Sequence, residues 1–332
     1  TVQETDQLFE VLNRLRAQGK TRLLITHKLK EVMALCDDVT VMRAGQVVHE
    51  CAVKDTSVEQ LAEAMVGRKM HAGVVPATPV PADAPVRLSA RHLSVRDMHN
   101  VQRLNDVSLD LRAGEIVGLA GVSGNGQTEL LEILSGLRAP ASGELQVGGR
   151  SFEPKHWIDP QTAREVGVAH VPEDRHSRGL VMDFEAWESA VLGYERQARF
   201  STRWLWMKSK NMLANARDLM QRFDVRPVNT NLFSSKFSGG NQQKIILARE
   251  FEQDPKVLLV GQPTRGVDIG AIEFIHAQLR QLRNEGCAIL VVSSELDEIL
   301  ALSDRVLVMN QGRITGELLA QECTERKLGM LM

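Results

Sequence analysis

The sequence predicts an α/β fold in which a parallel sheet is flanked by helices. Three short apolar runs, at residues 115–120, 257–260 and 288–292, are typical of strands buried in the middle of a sheet. Each run leads into polar or glycine-rich residues and then into a helical pattern. Because strands that alternate with helices build a parallel sheet, we expect this architecture. At 332 residues and 43% hydrophobic content, the chain is long enough to bury a large core.

The first part of the chain predicts a small unit that spans residues 1–70. Leu8, Val11 and Leu15 recur at helical spacing, and Gly19 follows as a helix end. The predicted elements are a helix at 2–18, a strand at 22–26, a helix at 28–35, a hairpin of strands at 39–42 and 46–49, and a helix at 58–66.

A proline-rich stretch then separates this unit from a larger domain. Residues 71–86 contain four prolines and too little amphipathic pattern to pack as an element, which predicts a linker. The second domain is predicted to span residues 87–332. Its first strands, at 91–95 and 107–111, predict an antiparallel β subdomain, and residues 184–230 predict a helical subdomain.

Part of the chain is duplicated. Residues 25–37 match residues 292–304 at an offset of 267 (294 − 27), and the match continues through the hairpin that follows. At this offset Thr1 falls on Asp268. A whole strand–helix–hairpin unit therefore occurs twice, and we expect the chain to be a fragment that opens within the first of two related domains.

Composition excludes several classes of function. The net charge is −2 and the pI about 6.5, so no overall field draws nucleic acid, and we expect no nucleic-acid partner. The four cysteines have no metal-ligand spacing, which fits reduced thiols better than a disulfide framework or a zinc site. No apolar run approaches the roughly 20 residues that a membrane-spanning helix needs.

A glycine-rich loop follows the first buried strand. Residues 121–128 read Gly-Val-Ser-Gly-Asn-Gly-Gln-Thr, the form of a phosphate-binding loop in which Gln127 replaces the usual lysine. The glycines leave backbone N–H groups open to phosphate oxygens, and the Thr128 hydroxyl is a candidate ligand of Mg²⁺. Either the loop binds nucleotide, or it is retained for its fold alone. The candidate nucleotide-binding residues are Gly121, Ser123, Gly124, Asn125, Gly126, Gln127, Thr128 and Glu129.

A glycine pair also precedes a helix predicted at 241–252. Residues 237–244 read Phe-Ser-Gly-Gly-Asn-Gln-Gln-Lys. A serine hydroxyl, unshielded backbone N–H groups and the positive end of a helix dipole together favour an anion. An ordinary glycine-rich helix start has the same composition, but the distance from the other motifs favours a functional role. The candidate nucleotide contacts here are Ser238, Gly239, Gly240 and Asn241.

Two further motifs follow predicted strands. Residues 171–175 read Val-Pro-Glu-Asp-Arg, and residues 261–268 read Gly-Gln-Pro-Thr-Arg-Gly-Val-Asp. Together with residues 121–128 and 237–244, they resemble the motifs of ATP-binding-cassette (ABC) ATPases, in the family order. The resemblance covers essentially the whole chain. It is strongest to bacterial importer ATPases of the monosaccharide and nucleoside type, in which two cassettes are joined in tandem.

This resemblance implies a fold and a role for several residues. The fold is a P-loop NTPase cassette with a parallel-sheet core, an antiparallel β subdomain and a helical subdomain. Glu173 stands where the family carries a Gln to Mg²⁺ and the attacking water, and Asp268 is a further nucleotide contact. His27 matches the catalytic switch histidine, here of the first cassette. The positions at which the family has Asp, Glu and His, and which are therefore degenerate, are Gly261, Gln262 and Ser294.

The resemblance also implies cofactors and partners. ATP and Mg²⁺ are held between the phosphate loop of one cassette and residues 237–244, the signature loop, of the other, so the first cassette is an intramolecular partner. Two membrane-spanning permease subunits and an extracytoplasmic substrate-binding protein complete the assembly at the cytoplasmic face of the bacterial inner membrane. We therefore expect an ATP-hydrolysing subunit that energises import of nucleosides or simple sugars, and a fragment that is inactive alone.

Two other classes resemble the chain less. Soluble twin-cassette proteins that act on the ribosome in translation usually keep both phosphate loops intact and join them by a long charged helix, whereas residues 71–85 are short, proline-rich and nearly uncharged. A DNA-repair ATPase would carry a heptad coiled coil, and none interrupts the cassette. The transported substrate stays open between nucleosides and sugars.

Overall fold

A computed structural model of the chain describes residues 2–26, 28–43, 45–67, 80–81, 83–202 and 206–332. Its residues group into two compact units, one of residues 1–75 with 268–274 and one of residues 76–267 with 275–332. Most of the predicted linker, residues 71–79 and 82, lies outside the described residues.

The first unit contains a two-stranded antiparallel sheet and three helices from the N-terminal region. Its elements are α1 (Val2–Ala17), α2 (Leu29–Leu35), β1 (Asp38–Arg43), β2 (Gln46–Ala52) and α3 (Val58–Val66). Ser57 and Gln60 form a capping box at the start of α3, and Gly67 ends the helix with φ 80°. Val41 and Leu61 belong to the small core that these elements enclose.

The strand predicted at 22–26 is not formed, and this prediction was wrong. Leu23 and Ile25 are each 91% exposed. Their repeat counterparts lie in the second unit, in a strand at 288–292 that is buried between two parallel neighbours. No strand of the described residues pairs with segment 22–26, and an extended segment forms a strand only where a neighbour pairs with its backbone groups.

The rest of the chain alternates strands and helices, as predicted. The elements are β3 (Val86–Arg96), β4 (Gln102–Arg112), β5 (Ile116–Ala120), α4 (Gln127–Leu134), β6 (Ser142–Val147), β7 (Arg150–Phe152), α5 (Pro160–Glu165), β8 (Val168–Val171), α6 (Ala186–Ser189), α7 (Ser209–Arg222), α8 (Gly239–Phe251), β9 (Val257–Gly261), α9 (Ile269–Asn284), β10 (Ala288–Val292), α10 (Leu296–Leu302), β11 (Arg305–Asn310), β12 (Arg313–Leu319) and α11 (Glu325–Leu331).

Two sheets form the core of the second unit. A six-stranded sheet has the order β12-β11-β5-β10-β9-β8, parallel except for the edge strand β12. A four-stranded antiparallel sheet has the order β4-β3-β6-β7. Strands β5, β9 and β10 are buried at every residue, as continuous apolar runs require. The predicted α/β fold with a parallel core and an antiparallel subdomain is confirmed.

The region predicted as helical at 184–230 is helical only in part. Between α6 and α7, residues 190–200 form successive turns with bonds such as Tyr194 N–H to Val191 O (2.9 Å). Gly193 adopts φ +85°, which a continuing right-handed helix does not allow. A Cβ at Gly193 would also meet the Arg164 guanidinium at 2.6 Å. Trp204 lies outside the described residues.

A buried ion pair anchors the parallel sheet to a helix. Asp304, just before β11, accepts from Arg283 Nη2 of α9 at 2.6 Å and from Ile116 N–H of β5 at 2.8 Å. The two side chains are only 6% and 12% exposed. At the repeat offset of 267, the same two residue types recur as Arg16 and Asp37, which also pair but are 55% and 61% exposed.

This repeat offers a matched test of burial. Asp304→Asn leaves a buried guanidinium without its carboxylate, so we expect the free energy of unfolding of the second unit to fall by about 3 kcal/mol. Asp37→Asn at the exposed pair should lower stability by less than about 1 kcal/mol. Urea denaturation followed by circular dichroism compares the two variants, and tryptophan fluorescence reports on the second unit. Equal losses in both variants would contradict the role given to burial.

Candidate functional site

The phosphate loop lies at the carboxyl end of the central strand β5 and leads into α4. Gly124 and Gly126 adopt φ values of 90° and 108°, which residues other than glycine rarely adopt. A Cβ at Gly121 would lie 2.6 Å from the Met309 carbonyl oxygen of β11. The three glycines therefore let the loop turn sharply and approach the neighbouring strand.

The loop presents amide groups at the start of a helix. Leu130 N–H donates the first intrahelical hydrogen bond of α4, to Gly126 O at 2.9 Å. The amides that precede Leu130 in the helix have no intrahelical acceptor and face the loop. The hairpin between β11 and β12 holds the loop in place. Gly312 N–H donates to Asn125 O at 2.9 Å, and Gln311 N–H donates to Asn125 Oδ1 at 3.2 Å. The arrangement fits phosphate, because amides and a helix N-terminus favour an anion.

Gln127 turns back onto its own loop. Its Nε2 donates to the Val122 carbonyl oxygen at 3.0 Å, and the residue is only 5% exposed. The amide that replaces the usual lysine is therefore used within the loop. In this conformation Gln127 maintains the shape of the loop and adds no positive charge for a phosphate.

A carboxylate stands beside the loop at Glu173, just after β8. The Thr128 hydroxyl donates to Glu173 Oε2 at 2.6 Å. A Cβ built on Gly261, at the end of the adjacent strand β9, would collide with Glu173 Cγ and lie 3.0 Å from Leu131 Cδ1. Glu173 thus fills the space that a side chain at position 261 would need. Its oxygens and the Thr128 hydroxyl are ligands of the kind that Mg²⁺ prefers, so the residues present fit this cation.

Gln262 and Ser294, the other two positions predicted to be degenerate, are hydrogen-bonded to each other. Gln262 follows β9 with φ 48°, and its Oε1 accepts from both the N–H and the hydroxyl of Ser294, each at 3.2 Å. Gln262 N–H donates to Val292 O of β10 at 2.7 Å. Neither side chain is a carboxylate or an imidazole, so neither can take a proton from water as a general base near neutral pH.

The signature loop caps helix α8. Ser238 is exposed at the N-cap position, where its hydroxyl accepts from Asn241 Nδ2 at 3.0 Å. Asn241 Oδ1 in turn accepts from Arg226 N–H at 2.9 Å. Gly239 is half-buried and Gly240 is buried. The free side of this turn therefore presents the serine hydroxyl and the first amides of α8, a suitable surface for an anion.

Two residues that sequence reasoning missed contact the signature loop. Arg175 Nη1 donates to Arg265 O at 2.8 Å. A Cβ built on Gly239 would lie 2.8 Å from Arg175 Nη2, so the guanidinium lies against this glycine. His176 Nε2 lies 3.0 Å from Oε1 of Gln242 in α8. Arg175 belongs to the quoted motif at 171–175, but nothing in the sequence pattern indicates these contacts.

Two other predicted site residues, Asp268 and Glu129, have polar partners of their own. Asp268 caps α9 by accepting from Ala271 N–H at 2.9 Å. Glu129 pairs with Arg103 at 3.8 Å, beside the phosphate loop. His27 lies outside the described residues.

Local hydrogen bonding and burial change two pKa values near the site. The N–H and hydroxyl of Ser177 and the N–H of His176 hold the pKa of the Asp174 carboxyl below its usual range. His170 of β8 lines a separate cavity of about 290 Å³, none of which is formed by residues 121–128. Burial lowers the pKa of His170 to about 4, and nearby arginine side chains act in the same direction. His170 is therefore neutral near pH 7.

Two further features were sought among the described residues. No helix of these residues is long and apolar enough to cross a bilayer. In the same ranges, no three His, Cys, Asp or Glu side chains group as a metal site. A cation at Thr128 and Glu173 would therefore need oxygen atoms of a bound nucleotide as further ligands.

Comparison with solved structures defines the class of fold. A dimeric ATP-binding cassette in a post-hydrolysis state, bound to ADP and Pi, superposes with a TM-score of 0.59. The match covers 70% of this chain and 98% of that chain at 20% sequence identity, which shows the fold alone. The chain therefore has the fold of an ATP-binding cassette.

Comparison with known sequences shows which proteins the chain resembles. The ABC transporter family profile matches residues 104–265. The nucleoside import ATP-binding protein NupA of Lactococcus lactis subsp. cremoris is 40% identical over 332 residues, 100% of this chain and 64% of that protein. The glucose import ATP-binding protein TsgD13 of Haloferax volcanii is 41% identical over 339 residues, 100% of this chain and 60% of that protein. Over its whole length the chain is similar to these ATP-binding proteins of ABC importers, and it spans less than two thirds of their length.

Gln127→Lys tests whether the loop holds nucleotide. A lysine would replace a neutral amide that bonds Val122 O with a charge-assisted contact to phosphate, so we expect ATP to bind about tenfold more tightly, a gain of about 1.4 kcal/mol. Titration of a fluorescent ATP analogue into wild type and variant measures the change. Unfolding temperatures of both proteins control for damage to the loop. Absence of binding in both proteins would mean that the loop is kept for its fold alone.

Proposed function

We propose that this chain supplies a nucleotide-holding site and a signature loop to a tandem-cassette ATPase that drives the import of nucleosides or simple sugars. The observation that carries the proposal is a phosphate loop whose backbone is suited to phosphate, next to catalytic positions that are replaced. Gln262 and Ser294 bond to each other and offer no general base. The site is therefore one for binding, and hydrolysis takes place at the other site of the assembly.

The amides at the start of α4, Thr128 and Glu173 each have a role in this proposal. The amides at the start of α4 bind the phosphate oxygens. Thr128 and Glu173 would hold Mg²⁺, which when bound neutralises charge on the terminal phosphates. Gly261, at the end of β9, has no carboxylate. Glu173, just after the neighbouring strand β8, supplies a negative charge beside Thr128 instead. The resulting site holds a nucleotide without positioning a base against water.

The signature loop acts on a nucleotide held by the other cassette. Ser238 is exposed at the N-cap position of α8, and a hydroxyl at the start of a helix supports contact with an anion. In this arrangement the hydrolytic site combines the first cassette, with His27 as its switch histidine, and the signature loop of the second. The degenerate site combines the phosphate loop described above with the signature loop of the first cassette.

The further partners of this ATPase follow from the importers that it resembles. Permease subunits span the membrane, a substrate-binding protein delivers the cargo, and the ATPase lies at the cytoplasmic face. The relatives include one named for nucleoside import and one named for glucose import, so the cargo is a nucleoside or a simple sugar. Uptake of labelled nucleoside and labelled glucose in cells that lack this protein distinguishes the two, and normal uptake of both would contradict the proposal.

The chain by itself should bind ATP and hydrolyse it very slowly. No carboxylate stands at positions 261 and 262, and position 294 has no imidazole. Phosphate release from the purified chain measures this directly. The Gln127→Lys variant is the control, because tighter binding alone should leave the rate unchanged. A turnover near about 10 s⁻¹, the median of enzymes, would contradict a degenerate site.

Ser238→Arg should abolish hydrolysis in a protein that carries both cassettes. A bulky side chain at the N-cap of α8 blocks the position of a phosphate held opposite and removes the capping hydroxyl. Ser235→Arg is a matched control, since Ser235 is also exposed and lies three residues earlier. ATPase activity is measured for both variants at saturating ATP. Near-normal activity of Ser238→Arg would contradict an action of this loop on the opposite site.

A further inference from the structure

The residues that lead into α7 carry basic and apolar side chains that have no role in the proposed function. These side chains, which we name the basic loop surface, are Arg196, Trp206, Met207, Lys208 and Lys210. We propose that the basic loop surface binds directly to anionic phospholipids of a membrane. This inference goes beyond the proposed function, in which permease subunits hold the ATPase at the membrane. It does not require nucleotide binding, so each of the two can fail without the other.

The sequence around this surface has a local excess of positive charge. Residues 196–217 contain six Lys or Arg and no Asp or Glu, although acidic residues outnumber basic ones by 42 to 40 in the whole chain. A basic segment is usually a solvated face, but it is also what the surface of an anionic membrane attracts. Since the excess is confined to this segment, it can bind an anionic surface although the net charge of the chain is −2.

Three cations of the basic loop surface have no carboxylate partner among the described residues. Arg196 Nη1 lies 3.4 Å from Gln161 Oε1, and Lys208 Nζ donates to Ala198 O at 2.7 Å. Lys210 is exposed, and within the described part of the chain its side chain forms no hydrogen bond or ion pair. No carboxylate neutralises these three charges, so they remain available to the phosphate groups of lipids.

Two large apolar side chains are exposed on the same loop. Trp206 is 77% exposed and Met207 is 62% exposed. A single exposed apolar residue is ordinary, but these two are adjacent and are followed directly by Lys208. Tryptophan is favoured at the boundary between membrane and water, because its ring is apolar and its N–H can bond to water or headgroups. The pair therefore adds an apolar contact to the attraction between charges.

The base of the loop is anchored to the protein core. Phe200 is 2% exposed and belongs to a buried cluster with Tyr194. Lys208 N–H donates to Phe200 O at 2.8 Å, and Thr202 N–H donates to Trp206 O at 3.0 Å. Folding Trp206 back onto its own domain would break these bonds. The loop therefore holds its apolar side chains at the surface.

The composition of the surface favours a membrane over a protein partner. The centres of protein interfaces are depleted of lysine, because an ammonium group is costly to remove from water. At a membrane, the ammonium groups of Lys208 and Lys210 stay in water beside the phosphates while the Trp206 ring enters the headgroup region. A membrane therefore accommodates both kinds of side chain at once.

Binding of the purified chain to lipid vesicles tests this inference. The vesicles contain phosphatidylcholine alone or phosphatidylcholine with the anionic phosphatidylglycerol, and co-sedimentation measures the bound fraction. We expect tighter binding to the anionic vesicles, and weaker binding as salt is added, because salt screens exposed charges. Lys210→Gln should weaken binding about fivefold, the effect of one charge at the membrane surface. Trp206→Ser should weaken it about tenfold, because a large apolar side chain is lost.

Two control variants carry similar changes elsewhere. Met98→Ser removes a side chain that is 90% exposed between β3 and β4, and Lys155→Gln removes an exposed charge after β7. Both should bind vesicles as the wild type does, and unfolding temperatures verify that every variant is folded. Trp206→Phe retains an apolar ring and should still bind. Its tryptophan fluorescence should be quenched less by brominated lipid, because the indole that contacts the lipid is gone.

The outcomes separate this inference from the proposed function. Failure to bind anionic vesicles, or equal binding to both kinds of vesicle, would overturn the inference. Unchanged binding of both Lys210→Gln and Trp206→Ser would overturn it as well. Without vesicle binding, the basic loop surface would be a site for a protein instead. The titration with an ATP analogue uses no vesicles, so the proposed function would stand or fall on its own result.

Discussion

The fully buried parallel strands β5, β9 and β10 are the constraint on which the site depends. Since parallel strands end at the same edge of a sheet, their order fixes which loops meet there. The phosphate loop, Glu173, Gln262 and Ser294 all follow strands of this sheet at that edge. A one-residue slip of β9 against β10 would separate Gln262 from Ser294 and move Gly261 away from Glu173. The chemistry therefore depends on backbone pairing that the apolar runs specify.

The replaced residues of the site are bonded to partners nearby. Gln127 bonds to a carbonyl of its own loop, and Gln262 bonds to Ser294. Glu173 fills the space beside Gly261 and bonds to Thr128. A buried polar group without a partner destabilises a fold, and the buried Gln127 has such a partner in the Val122 carbonyl. These bonds give the loops at this edge of the sheet a defined shape.

The parts predicted from the sequence are those that depend on local pattern. The apolar runs and glycines placed β5, the phosphate loop and the start of α8 within one or two residues. Segment 22–26 has an equally good strand pattern, but a strand forms only when neighbours pair with it. The bond between Thr128 and Glu173 and the contacts of Arg175 join residues that are 45 to 90 positions apart. No local periodicity encodes such contacts, so they became visible only in the fold.

The unpaired segment at 22–26 has a consequence for the behaviour of the chain in solution. Leu23 and Ile25 are almost fully accessible, and the run Arg-Leu-Leu-Ile-Thr has high β propensity and a single charge. Such a run is a template for pairing with the same run of a second molecule. Self-association will therefore rise with protein concentration, and an added peptide or protein region that pairs with this run will keep the molecules apart.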